Sequence, residues 1–129
     1  MKTFETIITV TEDDLDQLNH VNNVRYVQWV QDVAAQHWDA GATQEIKDQY
    51  FWVLVKHTIE YKLPAFLGES IRLKTYIAKS EGVISTRIVE IYNHTTSKLL
   101  VTSEANWCLI SKSTNRPCRI TAEIENLFT

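Results

Sequence analysis

The alternation of apolar and polar positions changes period several times along the chain, and each change marks an element. From Phe51 the period is two: Phe51, Val53, Val55, His57, Ile59, Tyr61 and Leu63 fall on one side, and Lys56, Thr58, Glu60 and Lys62 on the other. This predicts a long half-buried strand, ended by Pro64. Between about Asn22 and Ala40 the period is helical instead. Tyr26, Trp29, Val30, Val33 and His37 recur along one stripe, and Val27, Ala34 and Trp38 widen it. The predicted helix is therefore buried over much of its circumference. Asn22 or Asn23 supplies a side-chain cap at its start, and Gly41 stands where a left-handed residue commonly closes a helix.

Residues 3–10, TFETIITV, are rich in β-branched and aromatic types and read as a first strand. Three more strands are predicted over Ser70 to Lys79, Val83 to His94 and Lys98 to Ile110. Their connections are short, around Glu81-Gly82 and Asn93 to Ser97, which implies antiparallel hairpins. A closing helix is predicted from Thr121 to Phe128. The order of strand, long apolar helix and four strands gives an α+β fold, with an antiparallel sheet of about five strands wrapped around one central helix. Such a sheet leaves edges and a second face uncovered. The apolar residues on both faces of Val83 to His94 point to cover from another subunit.

A length of 129 residues with 44% hydrophobic content fits one domain, residues 1–129, whose core needs neither disulfide nor structural metal. Cys108 and Cys118 lack the spacing of a zinc site, and Cys108 reads as a buried thiol. The net charge of −3, with 13 basic residues spread along the chain, excludes a concentrated basic face for nucleic acid. Three glycines and two prolines leave no glycine-rich phosphate loop. No apolar run reaches a membrane span, and the first ten residues lack the pattern of a signal peptide. A cytoplasmic protein that binds neither membrane nor nucleic acid is the expectation.

The stretch DLDQLNHVNNVRYVQW, residues 14–29, concentrates polar chemistry directly before the helix. Acids and amides in such a place commonly form a solvated turn and a cap. A calcium loop is excluded, because Leu18 occupies a ligand position and the glycine of the sharp turn is missing. The alternative is an active site, and here the segment resembles a known family. Asp16, then His20-Val21-Asn22-Asn23, then Tyr26 and Trp29 resemble the helix-start segment of HotDog-fold thioesterases, the 4-hydroxybenzoyl-CoA thioesterase group and the related plant acyl-carrier-protein thioesterases. IEYKLPAFLGESI repeats the family order of Tyr61, Pro64, Gly68 and Glu69, and TNRPCRI places Arg116-Pro117 in the turn after the last strand.

The resemblance implies an antiparallel sheet curled around the helix, homodimers that often pair into homotetramers, and active sites at the dimer interface. It also implies hydrolysis of an acyl thioester. Asp16 then acts as nucleophile or general base and His20 assists, while N–H groups of Asn22 and Asn23 polarise the carbonyl. Tyr26 and His57 border the substrate. No cofactor or metal is implied; coenzyme A enters only as part of the substrate. Leu18 stands where the plant enzymes have asparagine, and Pro64 where they have a strand glutamate, so acyl-CoA is favoured over acyl carrier protein as thioester donor. Two other functions use the same fold: a non-catalytic acyl-thioester binding protein, and an enoyl hydratase or dehydratase. A bland reading stands beside the sharp one for each histidine. His57 and His37 fit hydrogen-bonded core positions, and His94 an exposed hairpin.

Overall fold

The computed structural model describes residues 2–129. Strand β1 (Thr3–Thr9) leads through a 3-10 turn (Glu12–Asp14) to helix α1 (Asn23–Gly41) and a one-and-a-half-turn helix α2 (Gln44–Gln49). Strands β2 (Tyr50–Tyr61), β3 (Ser70–Glu81), β4 (Ile84–Asn93) and β5 (Leu99–Ser111) follow, then a two-residue strand β6 (Arg116–Pro117) and helix α3 (Ala122–Leu127). The sheet runs β1-β3-β4-β5-β2, every pair antiparallel, with β6 added to β5. This is the expected α+β architecture, an antiparallel sheet against one long helix.

The stripe Tyr26, Trp29, Val30, Val33, Ala34 and His37 is the buried side of α1. It meets Ile71 and Leu73 of β3, Val89 and Ile91 of β4 and Val101 of β5, all of which are fully or almost fully buried. Each such side chain contributes about 1.5–3 kcal/mol by leaving water, which anchors the helix to the sheet far more strongly than helix propensity does. Asn22 starts the helix as expected, its Oδ1 accepting from the Val24 N–H at 3.0 Å. Thr121 caps α3 in the same way through Ile124.

Three details depart from the sequence reading. The alternation in β2 is broken by a bulge between Leu54 and Lys56, where the register against β5 slips by one residue. The extra residue reverses the phase of the strand. Trp52 and Leu54 therefore share the helix-facing side with His57 and Ile59, while Val53 and Val55 are exposed in place of the expected single face from Phe51 to Leu63. Gly41 is the last residue of α1 and not a left-handed cap: Ala42 ends the helix in extended backbone. What Gly41 supplies is space, because a Cβ there would lie 2.5 Å from Cε1 of Phe128. Finally, α2 was not foreseen; it is a short segment capped by the Thr43 hydroxyl, with Ile46 buried beneath it.

The two sheet edges are β1 and β2. Strand β2 is 12 residues long and carries an unpaired outer edge along its whole length. Val55, 56% exposed, lies at its bulge. No helix among the described residues is long and apolar enough to cross a membrane.

Candidate active site at the start of the central helix

Asp16 opens a tight reversal of the chain. Its N–H donates to the His20 carbonyl at 2.8 Å, and the Asn19 N–H returns to the Asp16 carbonyl at 3.1 Å. Asn19 takes a left-handed φ of 62°, which asparagine tolerates better than most residues. Inside the turn, Oδ1 of Asp16 accepts from the Leu18 N–H at 2.9 Å and the His20 N–H at 3.3 Å. The carboxylate is thus oriented by backbone, and its Oδ2 bonds no protein group among the described residues.

Asp16 and His20 border an open hollow of about 280 Å³ with Val21, Asn23 and Tyr26. Its far wall is the end of β2 and the residues after it, Tyr61, Lys62, Leu63 and Pro64. His20 is held by a backbone bridge to Phe66, and its ring stands edge-on to the Phe66 ring at 5.4 Å. The loop that carries Phe66 is braced by Glu69, which accepts from the Phe66 N–H at 2.6 Å and from Asn93 Nδ2 at 2.7 Å. Glu69 therefore acts as a loop strut.

The two backbone amides at the helix start differ. The Asn23 N–H has no hydrogen-bond partner among the described residues and lies at the positive end of the α1 dipole, on a residue that lines the hollow. The Asn22 N–H is not free to polarise a carbonyl, because it donates to the Asp14 carbonyl at 2.8 Å. The reason lies in the acidic cluster. Asp14 is buried, accepts from the Thr11 N–H and pairs with Arg25 Nε at 2.9 Å, so the 3-10 turn is pulled back over the helix. Of the acids read as a solvated turn, Asp14 is thus a structural anchor.

Tyr26 is 3% exposed and borders the hollow; the Ala65 N–H approaches its oxygen, but its O–H donates to no group among the described residues. Burial pushes its phenol up to about 12, so it stays a proton donor at any ordinary pH. Trp29 meets the Tyr26 ring edge-on at 5.4 Å, and Tyr61 lies 5.8 Å away with its hydroxyl 3.4 Å from the Asn23 carbonyl. Lys62 and Leu63 were missed as wall residues; the only signal was their position between the end of the alternation and Pro64. His57 stands apart from these groups within one protomer: it faces the core side of β2 and bonds Ser103 Oγ at 2.7 Å, and burial lowers its pKa. No group of three or more histidine, cysteine, aspartate or glutamate residues among those described could hold a metal ion.

The arrangement offers a backbone-oriented carboxylate, a free amide at a helix N-terminus and an unsatisfied phenol around one hollow, which suits attack on a polarised carbonyl. Residues 1–128 match the family model for the acyl-ACP thioesterase N-terminal domain. No curated protein matches the sequence. Among solved structures, a probable thioesterase from Escherichia coli superposes with a TM-score of 0.84 at 20% identity, over 95% of this chain and 94% of that one. A 1,4-dihydroxy-2-naphthoyl-CoA thioesterase from Synechocystis gives 0.84 at 16% identity, over 98% and 95%. The 12:0-ACP thioesterase of Umbellularia californica also gives 0.84, at 15% identity, and there 98% of this chain covers 51% of the other.

Proposed function

The chain belongs to the acyl-ACP thioesterase N-terminal domain family, with the HotDog fold, and from that premise we propose that it hydrolyses an acyl-CoA thioester to a free acid and a thiol. The observation that carries the reading is the Asp16 carboxylate, fixed by two backbone amides beside the vacant Asn23 N–H. In the general-base route Asp16 takes a proton from water as the oxygen bonds to the carbonyl carbon. Negative charge then collects on the former carbonyl oxygen, where the Asn23 N–H and Tyr26 hydroxyl are available as donors. Collapse breaks the C–S bond, and the departing sulfur takes up the proton. In the nucleophilic route Asp16 itself attacks the carbonyl, the C–S bond breaks to release the thiolate, and water cleaves the resulting mixed anhydride to the free acid and the Asp16 carboxylate, its proton passing to the thiolate. His20 orients the water or the carboxylate in either case.

Acyl-CoA is preferred to acyl carrier protein as donor because Leu18 and Pro64 replace polar residues of the plant pattern. The site is completed in a homodimer formed along the open edge of β2, which ends at the hollow and presents Val53 and Val55 to solvent. The experiment is thiol release from a panel of acyl-CoA and acyl-ACP esters, run beside Asp16→Asn. Turnover abolished by that substitution is expected. Binding of every ester without turnover would leave an acyl-thioester binding protein, and hydration of enoyl-CoA with intact thioester would leave a hydratase. Single turnover in ¹⁸O-water separates the two routes: label reaching Asp16 itself requires the anhydride.

A further inference from the structure

Along the second half of α1 lies another cavity, of about 240 Å³, partly open to solvent and bounded by the helix, the sheet and α3. Its helix wall runs from Gln31 to Trp38, starting eight residues beyond Asn23, about 12 Å along the helix at its usual rise. Trp38, Trp52, Phe51, Ile77, Ile124 and Phe128 give it an apolar wall. Into that wall is set a single buried cation, Arg87, 6% exposed on the central strand β4.

Arg87 has no counter-ion among the described residues. Its Nη1 donates to His37 Nδ1 and to Thr75 Oγ1, both at 2.9 Å, and both acceptors are uncharged. His37 is neutral because burial and the neighbouring guanidinium lower its pKa to about 4. Thr75 in turn donates to the Ile88 carbonyl. The Nε and Nη2 donors bond no protein group among the described residues, and no acid forms an ion pair with the guanidinium. Glu125, the acid on the cavity rim, is exposed on α3 and also stays unpaired with it. Burial brings Arg87 down only to about 10, so it remains charged at neutral pH. An unpaired buried charge is expensive to maintain, and proteins normally supply a partner. Here Arg87 itself lines the apolar space.

We propose that this cavity binds a small apolar monocarboxylate, its carboxylate on Nε and Nη2 of Arg87 and its hydrocarbon or aromatic body against Trp38, Trp52 and Phe128. The volume corresponds to roughly eight waters at about 30 Å³ each, which fits an acid the size of octanoate or phenylacetate. The guanidinium fork matches a planar two-oxygen anion, and the dry surroundings strengthen the pairing. This site needs no thioester chemistry: it depends on Arg87 and the cavity alone, so an Asp16→Asn protein should bind the acid as wild type does.

Trp38, Trp52 and Trp107 line the cavity, so intrinsic fluorescence reports on it directly. The full chain is titrated with octanoate and phenylacetate, and in parallel with octanol and 2-phenylethanol. Saturable binding is expected, with each acid at least about tenfold tighter than its alcohol, the range of a charge-assisted hydrogen bond. Arg87→Gln should erase that preference while the alcohols still bind. Ala35→Phe, an exposed helix position at the mouth of the cavity, should weaken acid and alcohol alike. It decides the matter even if Arg87→Gln fails to fold. Equal affinity for acid and alcohol in wild type, no saturable binding, or acid binding untouched by Ala35→Phe would overturn the proposal.

Discussion

Nδ1 of His37 accepts a hydrogen bond from Nη1 of Arg87 at 2.9 Å, between the last turns of α1 and the middle of β4. The imidazole is also sandwiched, stacked on Phe4 at 5.5 Å and edge-on to Phe128 at 4.9 Å. Burial and the neighbouring guanidinium both disfavour a positive charge on the ring.

That relationship gives the protein a defined acid sensitivity. His37 has a folded pKa of about 4 against about 6.5 in the unfolded chain, so below 6.5 the unfolded state binds the extra proton first. The stability tied to neutral His37 is complete above about pH 6.5 and is lost as pH falls toward 4. The loss approaches about 3 kcal/mol across that window. Urea midpoints measured between pH 7 and pH 4 should fall accordingly. In His37→Gln, which keeps an acceptor for Arg87 without titrating, the slope over this range should be clearly shallower.

Asp16→Asn should cost at least about 10²-fold in kcat/KM toward acyl-CoA, the scale of a lost general base. The folded state should hardly notice, because the asparagine Oδ1 can still accept from Leu18 and His20. A thermal midpoint shift of more than a few degrees would mean that the carboxylate serves the turn and not the chemistry.

Tyr26→Phe separates structure from function in the opposite direction. The buried O–H donates to no group among the described residues, a condition that costs about 1–3 kcal/mol. Removing it should leave stability unchanged or raise it. If the phenol donates to the substrate carbonyl, kcat should fall with little change in KM, and a variant that is more stable and equally active would remove Tyr26 from the reaction.

Gly41→Ala tests a contact invisible in the sequence. The new methyl would meet the Phe128 ring at 2.5 Å, and that ring is also stacked on Trp38. Overpacking of this kind costs about 1–3 kcal/mol, which outweighs the better helix propensity of alanine. Unfolding free energies of the Gly41→Ala and Phe128→Leu single variants and of the double variant should show the penalty relieved when the ring is removed.

These cases mark what a single chain reveals about itself. Helix α1 was legible from end to end, because its period and the Asn22 cap are local properties. The phase of β2 was not: the bulge at Val55 exists only relative to the partner strand, so alternation extrapolated through it put Val53 and Val55 on the wrong side. Gly41 announced a helix end, but whether a glycine supplies a left-handed φ or room for a neighbour depends on residue 128. At the candidate site, Asp16 and His20 were recognisable from the motif. The capture of the Asn22 amide by Asp14 was not, since it depends on how the preceding turn folds back. Arg87 carried a readable signal, sharing the alternation of Val89 and Ile91 on the core side of β4, but it was passed over among the apolar residues of that strand.

The outer edge of β2 makes the last prediction. It has no strand neighbour among the described residues, and the stretches on either side of its bulge are free templates for pairing with a second copy. The bulge at Val55 interrupts the pairing with β5 and turns a β-branched apolar side chain to solvent. A lysine there would be solvated in a free protomer but desolvated against a second copy, so Val55→Lys should leave each protomer folded and weaken self-association. Sedimentation velocity of wild type should give a dimer or tetramer mass and of the variant a shift toward the 14.9 kDa monomer. Because the hollow at Asp16 opens beside the end of this strand, thioesterase activity should fall in step with dissociation. A variant that sediments as a monomer and retains full kcat/KM would show that one chain carries a complete site.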